Sequence, residues 1–91
     1  MSEWILFSPN VDPTEYITKT FYEILETIQK ENAQWLSNSK TLHDIFKPII
    51  NKSVLQWEIK PNDLPIDIIN ETEKRLSRFK VYCHLTFPNN H

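Results

Sequence analysis

Trp4-Ile5-Leu6-Phe7 is a run of four consecutive apolar residues near the start of the chain, and it decides the predicted fold. A strand with one face in water alternates apolar and polar residues, whereas a short run that is apolar throughout is typical of a strand covered on both faces. The run is too short to span a membrane and lacks the charged start and cleavage site of a secretory signal. We therefore expect residues 4–7 to form the central strand of a sheet.

Two helices are expected after this strand. Asp12 is a suitable N-cap for the first, Pro13 suits the first helical position, and Glu15 completes a capping box. Apolar residues recur at helical spacing on one face to about residue 30, namely Ile17, Phe21, Ile24, Leu25 and Ile28. A short second helix is expected to follow, with a kink or an end near Lys47 because Pro48 removes a backbone hydrogen bond.

Two alternating stretches predict two further strands, with a third helix between them. In residues 54–59, Leu55, Trp57 and Ile59 fall on one face of a half-exposed strand. Pro65 leads into a helix whose inward residues are Ile68, Ile69, Leu76 and Phe79. The last strand is expected within residues 80–87, where the alternating apolar positions are Val81, Cys83, Leu85 and Phe87.

The order strand-helix-helix-strand-helix-strand predicts an α/β fold in one domain over residues 1–91. Helical crossovers favour parallel strands, so we expect a three-stranded parallel sheet in the order 2-1-3, packed with three to four helices. The apolar run at residues 4–7 then lies in the middle. An antiparallel sheet is the alternative, because three strands and two crossovers do not fix the strand direction.

Composition excludes several kinds of chemistry. The chain has no glycine, so phosphate-binding loops, dinucleotide fingerprints and nucleophile elbows cannot be built. Its carboxylates fall on predicted wet faces, where pKa values are not pushed apart. Cys83 and His84 are neighbours that point to opposite faces of a strand and cannot act together on a metal. We therefore expect no enzyme, no cofactor and no metal, and the single cysteine fits a cytoplasmic protein.

The candidate binding residues are aromatic or charged side chains at positions expected to be exposed. Large amphipathic rings are common anchors of protein interfaces, and whether Trp35 belongs to the core or to an interface stays open. The partner-binding residues that we single out are Trp35, His43, Asp44, Lys47 and Tyr82. His43 and Lys47 are four residues apart and are expected to share one exposed helical face, which is more often ordinary solvated surface.

A basic cluster offers an alternative function. The net charge is −2, with −4 in residues 1–46 and +2 in residues 47–91. The residues that could contact phosphate are Lys74, Arg75, Arg78 and Lys80. Bases near the end of a helix are more often a solvated end that complements the helix dipole, so nucleic-acid binding is the less favoured interpretation.

The chain also resembles the barstar family of small ribonuclease inhibitors. The likeness rests on the element order, on the length and on Val54-Leu55-Gln56-Trp57 in the second strand. The resemblance implies a three-stranded parallel sheet with the first strand central, and an inhibitory surface on the second helix and the loop before it. Within the corresponding residues 41–47, His43 and Lys47 stand where the family has acids, which argues against inhibition of a strongly basic nuclease.

The sequence thus favours a small stoichiometric protein-binding protein, such as an immunity protein, an antitoxin or an inhibitor from a mobile element or phage. No membrane contact is expected. The strand expected at residues 80–87 would lie at a sheet edge with few charges, and such edges pair readily with other strands. A homodimer or a complex with a partner's strand is therefore expected through this edge.

Overall fold

The computed structural model describes residues 13–34, 36, 41–51 and 54–87, and it contains α1 (Thr14–Glu31), α2 (Leu42–Ile45), β1 (Phe46–Asn51), β2 (Val54–Ile59) and α3 (Ile66–Thr86). The expected central strand at residues 4–7, the Asp12 cap and Trp35 lie outside the described residues. No helix of the described ranges is both long enough and apolar enough to cross a membrane.

The expected three-stranded parallel sheet is wrong. In the part of the chain that the structure describes, the sheet consists of β1 and β2 alone, and they run antiparallel. Phe46 lies opposite Ile59 and Asn51 lies opposite Val54, so only residues 52 and 53 separate the strands. Parallel strands need a connection of a dozen or more residues, which rules out a parallel pairing of β1 with β2.

Pro48 explains why the second helix is much shorter than its apolar spacing suggested. α2 ends at Ile45, and residues 46–51, which we expected to continue or end the helix near Lys47, form β1. Proline cannot supply the helical hydrogen bond, whereas an edge strand tolerates it, and the following Ile49 and Ile50 are β-branched. The backbone N–H of Lys60 donates to the Ile45 carbonyl (2.8 Å) and extends the pairing beyond Phe46.

The strand expected within residues 80–87 is also wrong, because α3 continues to Thr86. The segment fits two periods: a strand would bury Val81 and Leu85, whereas a helix extends the inward series of Leu76 and Phe79 to Cys83. The segment forms a helix. No turn residue between Phe79 and Val81 ends α3, and Leu76, Phe79 and Cys83 are all buried at helical spacing. Because a helix uses its backbone N–H groups internally, the structure removes the support for a dimer through strand pairing at residues 80–87. A homodimer through another surface stays a prediction.

Other expectations are confirmed. α1 buries Ile17, Phe21, Leu25 and Ile28, and β2 turns Leu55 inward while Gln56 and Glu58 are exposed. Pro65 immediately precedes α3, and Ile68 is buried as expected. The buried residues of the two long helices, α2 and the hairpin form one hydrophobic cluster. Phe21 lies within it, 6.5 Å between ring centroids from Trp57 of β2.

α1 lies between α2 and α3, with a different flank in contact with each. On one flank, the Leu42 N–H donates to Gln29 Oε1 (2.9 Å) and the Tyr22 ring packs against α2. On the other, Tyr16 near the start of α1 packs against Phe87, and Glu31 at its end binds α3. The two long helices therefore run in roughly opposite directions.

Candidate functional site

Large apolar side chains lie on the outward side of α3 near its end. Val81 is 57% exposed and Leu85 72%, and their spacing of four residues places them on one face, away from the buried Cys83. Tyr82 is 43% exposed beside them, and Val54 at the start of β2 is 39% exposed. We call Val54, Val81, Tyr82 and Leu85 the apolar patch.

A small groove adjoins the apolar patch between β2 and α3. Its volume is about 200 Å³, and it is lined by Val54, Leu55, Lys80, Val81 and His84. The Lys80 ammonium lies 6.0 Å from the centre of the Trp57 ring, near the distance limit for a cation–π contact. Drug-sized ligands and cofactors usually occupy larger cavities, of roughly 300 to 1,000 Å³, so this groove suits one or two side chains of a partner.

Tyr82 is positioned by aromatic neighbours on the α1 side of the patch. Its ring stacks on Phe79, with 6.0 Å between centroids and 17° between planes. Tyr16 of α1 packs edge-on against the same Phe79 at 6.4 Å. Burial, and next a hydrogen bond with Tyr82, raise the pKa of Tyr16 above its usual value. The Tyr82 ring is therefore packed against Phe79 on one side and exposed on the other. Its proposed role as a binding residue is compatible with this position.

The basic residues of α3 do not form one surface. The Arg75 guanidinium donates hydrogen bonds to Glu31 (2.8 and 3.2 Å) and to Glu71 (2.7 Å), and both glutamates raise the pKa of Arg75. Lys74 and Arg78 are four residues apart on the outward side, and Lys80 lies on the β2 side. Only Lys74 and Arg78 therefore share a face with Val81 and Leu85.

His43 faces α1 instead of sharing a helical face with Lys47. Its ring packs edge-on against Tyr22 at 4.9 Å, and its Nε2 lies 4.0 Å from the Glu26 carboxylate, too far for a hydrogen bond. The Nε2 atom is covered from solvent and has no hydrogen-bond partner within the described part of the chain. The prediction that His43 and Lys47 share one helical face is wrong, because α2 ends at Ile45 and Lys47 lies on β1.

Asp44 and Lys47 occupy surfaces separate from each other and from Tyr82. Thr41 Oγ1 donates a hydrogen bond to Asp44 Oδ2 (2.9 Å), and Asp44 borders a wide depression of about 550 Å³ together with Lys60. Lys47 stands opposite Glu58 on the outer face of the hairpin. Of the four proposed binding residues that the structure describes, it brings only His43 and Asp44 together, on α2, and Tyr82 lies beyond the opposite flank of α1.

Cys83 and His84 are separated as the sequence suggested, although on a helix and not on a strand. Cys83 is fully buried, and burial raises the pKa of its thiol to about 11, so it is a poor nucleophile at neutral pH. His84 is exposed and borders the groove. Within the described ranges no three His, Cys, Asp or Glu side chains are grouped closely enough to hold a metal.

Sequence reasoning missed Val54, Val81 and Leu85 as surface residues. All three were assigned to strands, and in the last segment the alternating period concealed the helical one. A signal was present: Lys74, Arg78, Val81 and Leu85 recur at helical spacing, opposite the series of inward apolar residues. Apolar residues on the polar side of an amphipathic helix indicate a second surface that is suited to contact another molecule.

Comparisons of the chain with protein-family models, with curated proteins and with solved structures found no match.

Proposed function

We propose that this chain is a small cytoplasmic protein that binds another protein in one-to-one stoichiometry, as an immunity protein, an antitoxin or an inhibitor from a mobile element or phage does. The observation that carries the proposal is the exposure of Val81 and Leu85 on the side of α3 that faces away from the core. The core does not use these side chains, and their removal from water on binding would favour association.

The arrangement of the apolar patch favours a binding interface over the alternative that its residues are exposed without a role. Single exposed apolar residues are common on any protein, whereas contiguous ones rimmed by polar side chains mark interaction sites. Val81 and Leu85 are adjacent on one helical face, Tyr82 adds an aromatic ring, and the groove beside them can receive a partner's side chain. Tyrosine is among the residues that contribute most to binding energy in protein interfaces.

Nucleic-acid binding through Lys74, Arg75, Arg78 and Lys80 has less support. Arg75 is paired with two glutamates, and Lys80 lies on a different side of α3 from Lys74 and Arg78. A nucleic-acid surface needs a row of cations along the phosphate backbone. Two outward cations beside an apolar patch fit a protein partner better.

The barstar family remains an example of the proposed class, a small inhibitor protein, but it does not indicate which protein this chain binds. Residues 54–57 lie on β2, but β2 pairs antiparallel with β1, unlike the parallel sheet that the resemblance implies. His43 and Lys47, which stand where the family has acids, lie on different elements in this chain. We therefore propose that binding uses the end of α3 in place of α2 and the loop before it.

Co-purification from the natural host tests the proposed function. We expect the tagged chain to recover one dominant protein in near-equal molar amount, and the reconstituted pair to migrate as a one-to-one complex in sedimentation. The double variant Val81→Ser and Leu85→Ser should reduce recovery by at least about tenfold, since interface anchors contribute strongly to affinity.

Ile66→Ser is the matched control. Ile66 is 66% exposed and lies on the same helix, roughly 28 Å along its axis from Leu85. It should recover the partner as the wild type does. Recovery of no protein at low salt, or equal losses in the control and in the double variant, would argue against the proposal. Circular dichroism of each variant separates loss of binding from loss of folding.

A further inference from the structure

The partner's chemistry can be inferred from the charges around the apolar patch, provided that the proposed function holds. Acidic and basic residues divide along α3: Asp67, Glu71 and Glu73 lie in its first half, and the bases follow. Asp67 and Glu71 are the acids toward the outward side, roughly 27 Å and 21 Å along the helix from Leu85, and Glu71 accepts a hydrogen bond from Arg75. Cations thus lie on two sides of the patch, at the groove and on the turns of α3 before Val81, and Leu85 is distant from the acids of its own helix.

Three of these cations are available to a partner. Lys74 and Arg78 are exposed one to two turns before Val81 on its own face, and Lys80 lines the groove beside Val54. None of the three forms an ion pair with any described residue, in contrast to Arg75. His84 adds a fourth basic group at the groove. No acid lines this groove within the described residues.

We propose that the apolar patch and the groove bind a segment of a partner protein that combines apolar side chains with carboxylates. An apolar side chain of the partner enters the groove between Val54 and Val81, and others cover Leu85. Carboxylates beside them pair with Lys80 and with the outward Lys74 and Arg78. An amphipathic helix with an acidic border has this composition, and helices commonly dock in apolar grooves through residues spaced three and four apart.

Charge also argues against a second copy of this chain as the occupant. In a two-fold contact the same surface meets itself, so the basic surface that carries Arg78 and Lys80 would face a second surface of the same charge. Like charges placed across an interface disfavour association. An acidic partner turns the same residues into favourable pairs and would associate faster at low salt.

Methyl NMR of the full-length chain tests this inference with two synthetic helical peptides. Both carry leucines at positions i, i+3, i+4 and i+7, and one has glutamates beside them while the other has lysines. We expect the glutamate peptide to shift the methyl signals of Val54, Val81 and Leu85, and to bind at least about tenfold more tightly than the lysine peptide. High salt should reduce this preference.

Variants of the chain identify which residues bind the peptide. Lys80→Glu should weaken binding of the glutamate peptide, whereas Lys19→Glu, a change at an exposed lysine of α1, should not. Leu85→Ser should abolish the methyl shifts, and Ile66→Ser should preserve them. Equal or tighter binding of the lysine peptide, or no methyl shift at about 1 mM glutamate peptide, the weak limit of specific binding, would overturn the inference.

Other occupants give distinct results that would also overturn it. Shifts produced by vesicles of phosphatidylserine and by neither peptide would indicate a lipid surface. Nuclear Overhauser contacts in the free chain between the Leu85 methyls and the Trp4 or Phe7 ring would show that the chain itself covers the patch. Concentration-dependent dimerisation that Leu85→Ser abolishes would indicate a second copy. If co-purification succeeds and depends on Leu85 while the glutamate peptide fails, the proposed function stands and only the acidic character is wrong.

Discussion

Arg75 joins α3 to α1 through hydrogen bonds to Glu31 and also binds Glu71 of its own helix, and the contact with Glu71 should make stability sensitive to acid. The hydrogen bond from Arg75 is the first cause that lowers the pKa of Glu71 below its ordinary 4.5. A carboxyl whose folded-state pKa is lowered stabilises the fold above its unfolded-state pKa, and the contribution is lost as pH falls through the folded-state value. The loss should therefore occur below 4.5.

We expect Arg75→Met to reduce this acid-dependent loss of stability. The free energy of unfolding is measured in urea at about pH 7 and about pH 3 and compared with that of wild type. Lys19→Met is the control, because Lys19 is exposed on α1 and is not among the groups that lower the pKa of Glu71. An Arg75→Met chain whose stability falls with acid as steeply as that of wild type would show that the contact does not control the Glu71 carboxyl.

Cys83 should make stability sensitive to alkali in the opposite direction. Burial raises the pKa of its thiol from 9.0 to about 11. A group whose folded-state pKa is raised stabilises the fold below the unfolded-state pKa, and the contribution is lost as pH rises through the folded-state value. Between 9.0 and about 11 the free energy of unfolding should therefore fall less steeply in Cys83→Ala than in wild type. Parallel pH profiles in urea would contradict this prediction.

The docking of α2 on α1 depends on one side chain that reaches between the helices. Gln29 Oε1 accepts the Leu42 N–H at 2.9 Å, in a partly buried position. Gln29→Ala leaves that N–H without this partner, and we expect a loss of about 1 kcal/mol in the free energy of unfolding in urea. Gln34→Ala, a change at an exposed glutamine beyond α1, should have little effect. Similar losses in the two variants would indicate that α2 is held by other contacts.

The elements that the sequence predicted well are those whose pattern has one interpretation. α1 has consistent helical spacing over five turns, and β2 alternates between strong turn signals. Residues 80–87 fit two periods, and a local pattern cannot choose between them because the choice depends on which neighbours cover each face. Pro48 was read correctly as an end of helix, but the strand that follows it is specified by pairing with β2.

At the scale of the whole molecule, the predicted binding residues were scattered because the predicted topology was wrong. His43 and Tyr82 lie on opposite flanks of α1, an arrangement that no local spacing reveals. Tyr82 was singled out as a side chain of an expected edge strand, and it is exposed on α3 instead. Val81 and Leu85 were missed, since their exposure follows only from the helical continuation of α3. The apolar patch could therefore be identified only once the fold was known.

Hydrogen exchange of the chain, free and in complex with its co-purified partner, tests the central claim most directly. Binding at the end of α3 should slow deuterium uptake in residues 79–86 and at the start of β2, because the partner covers the apolar patch and suppresses opening of the helix end. We expect this protection in the complex and little change in residues 41–47. Protection confined to residues 41–47, with uptake at the end of α3 unchanged, would contradict the account and place the interface on α2.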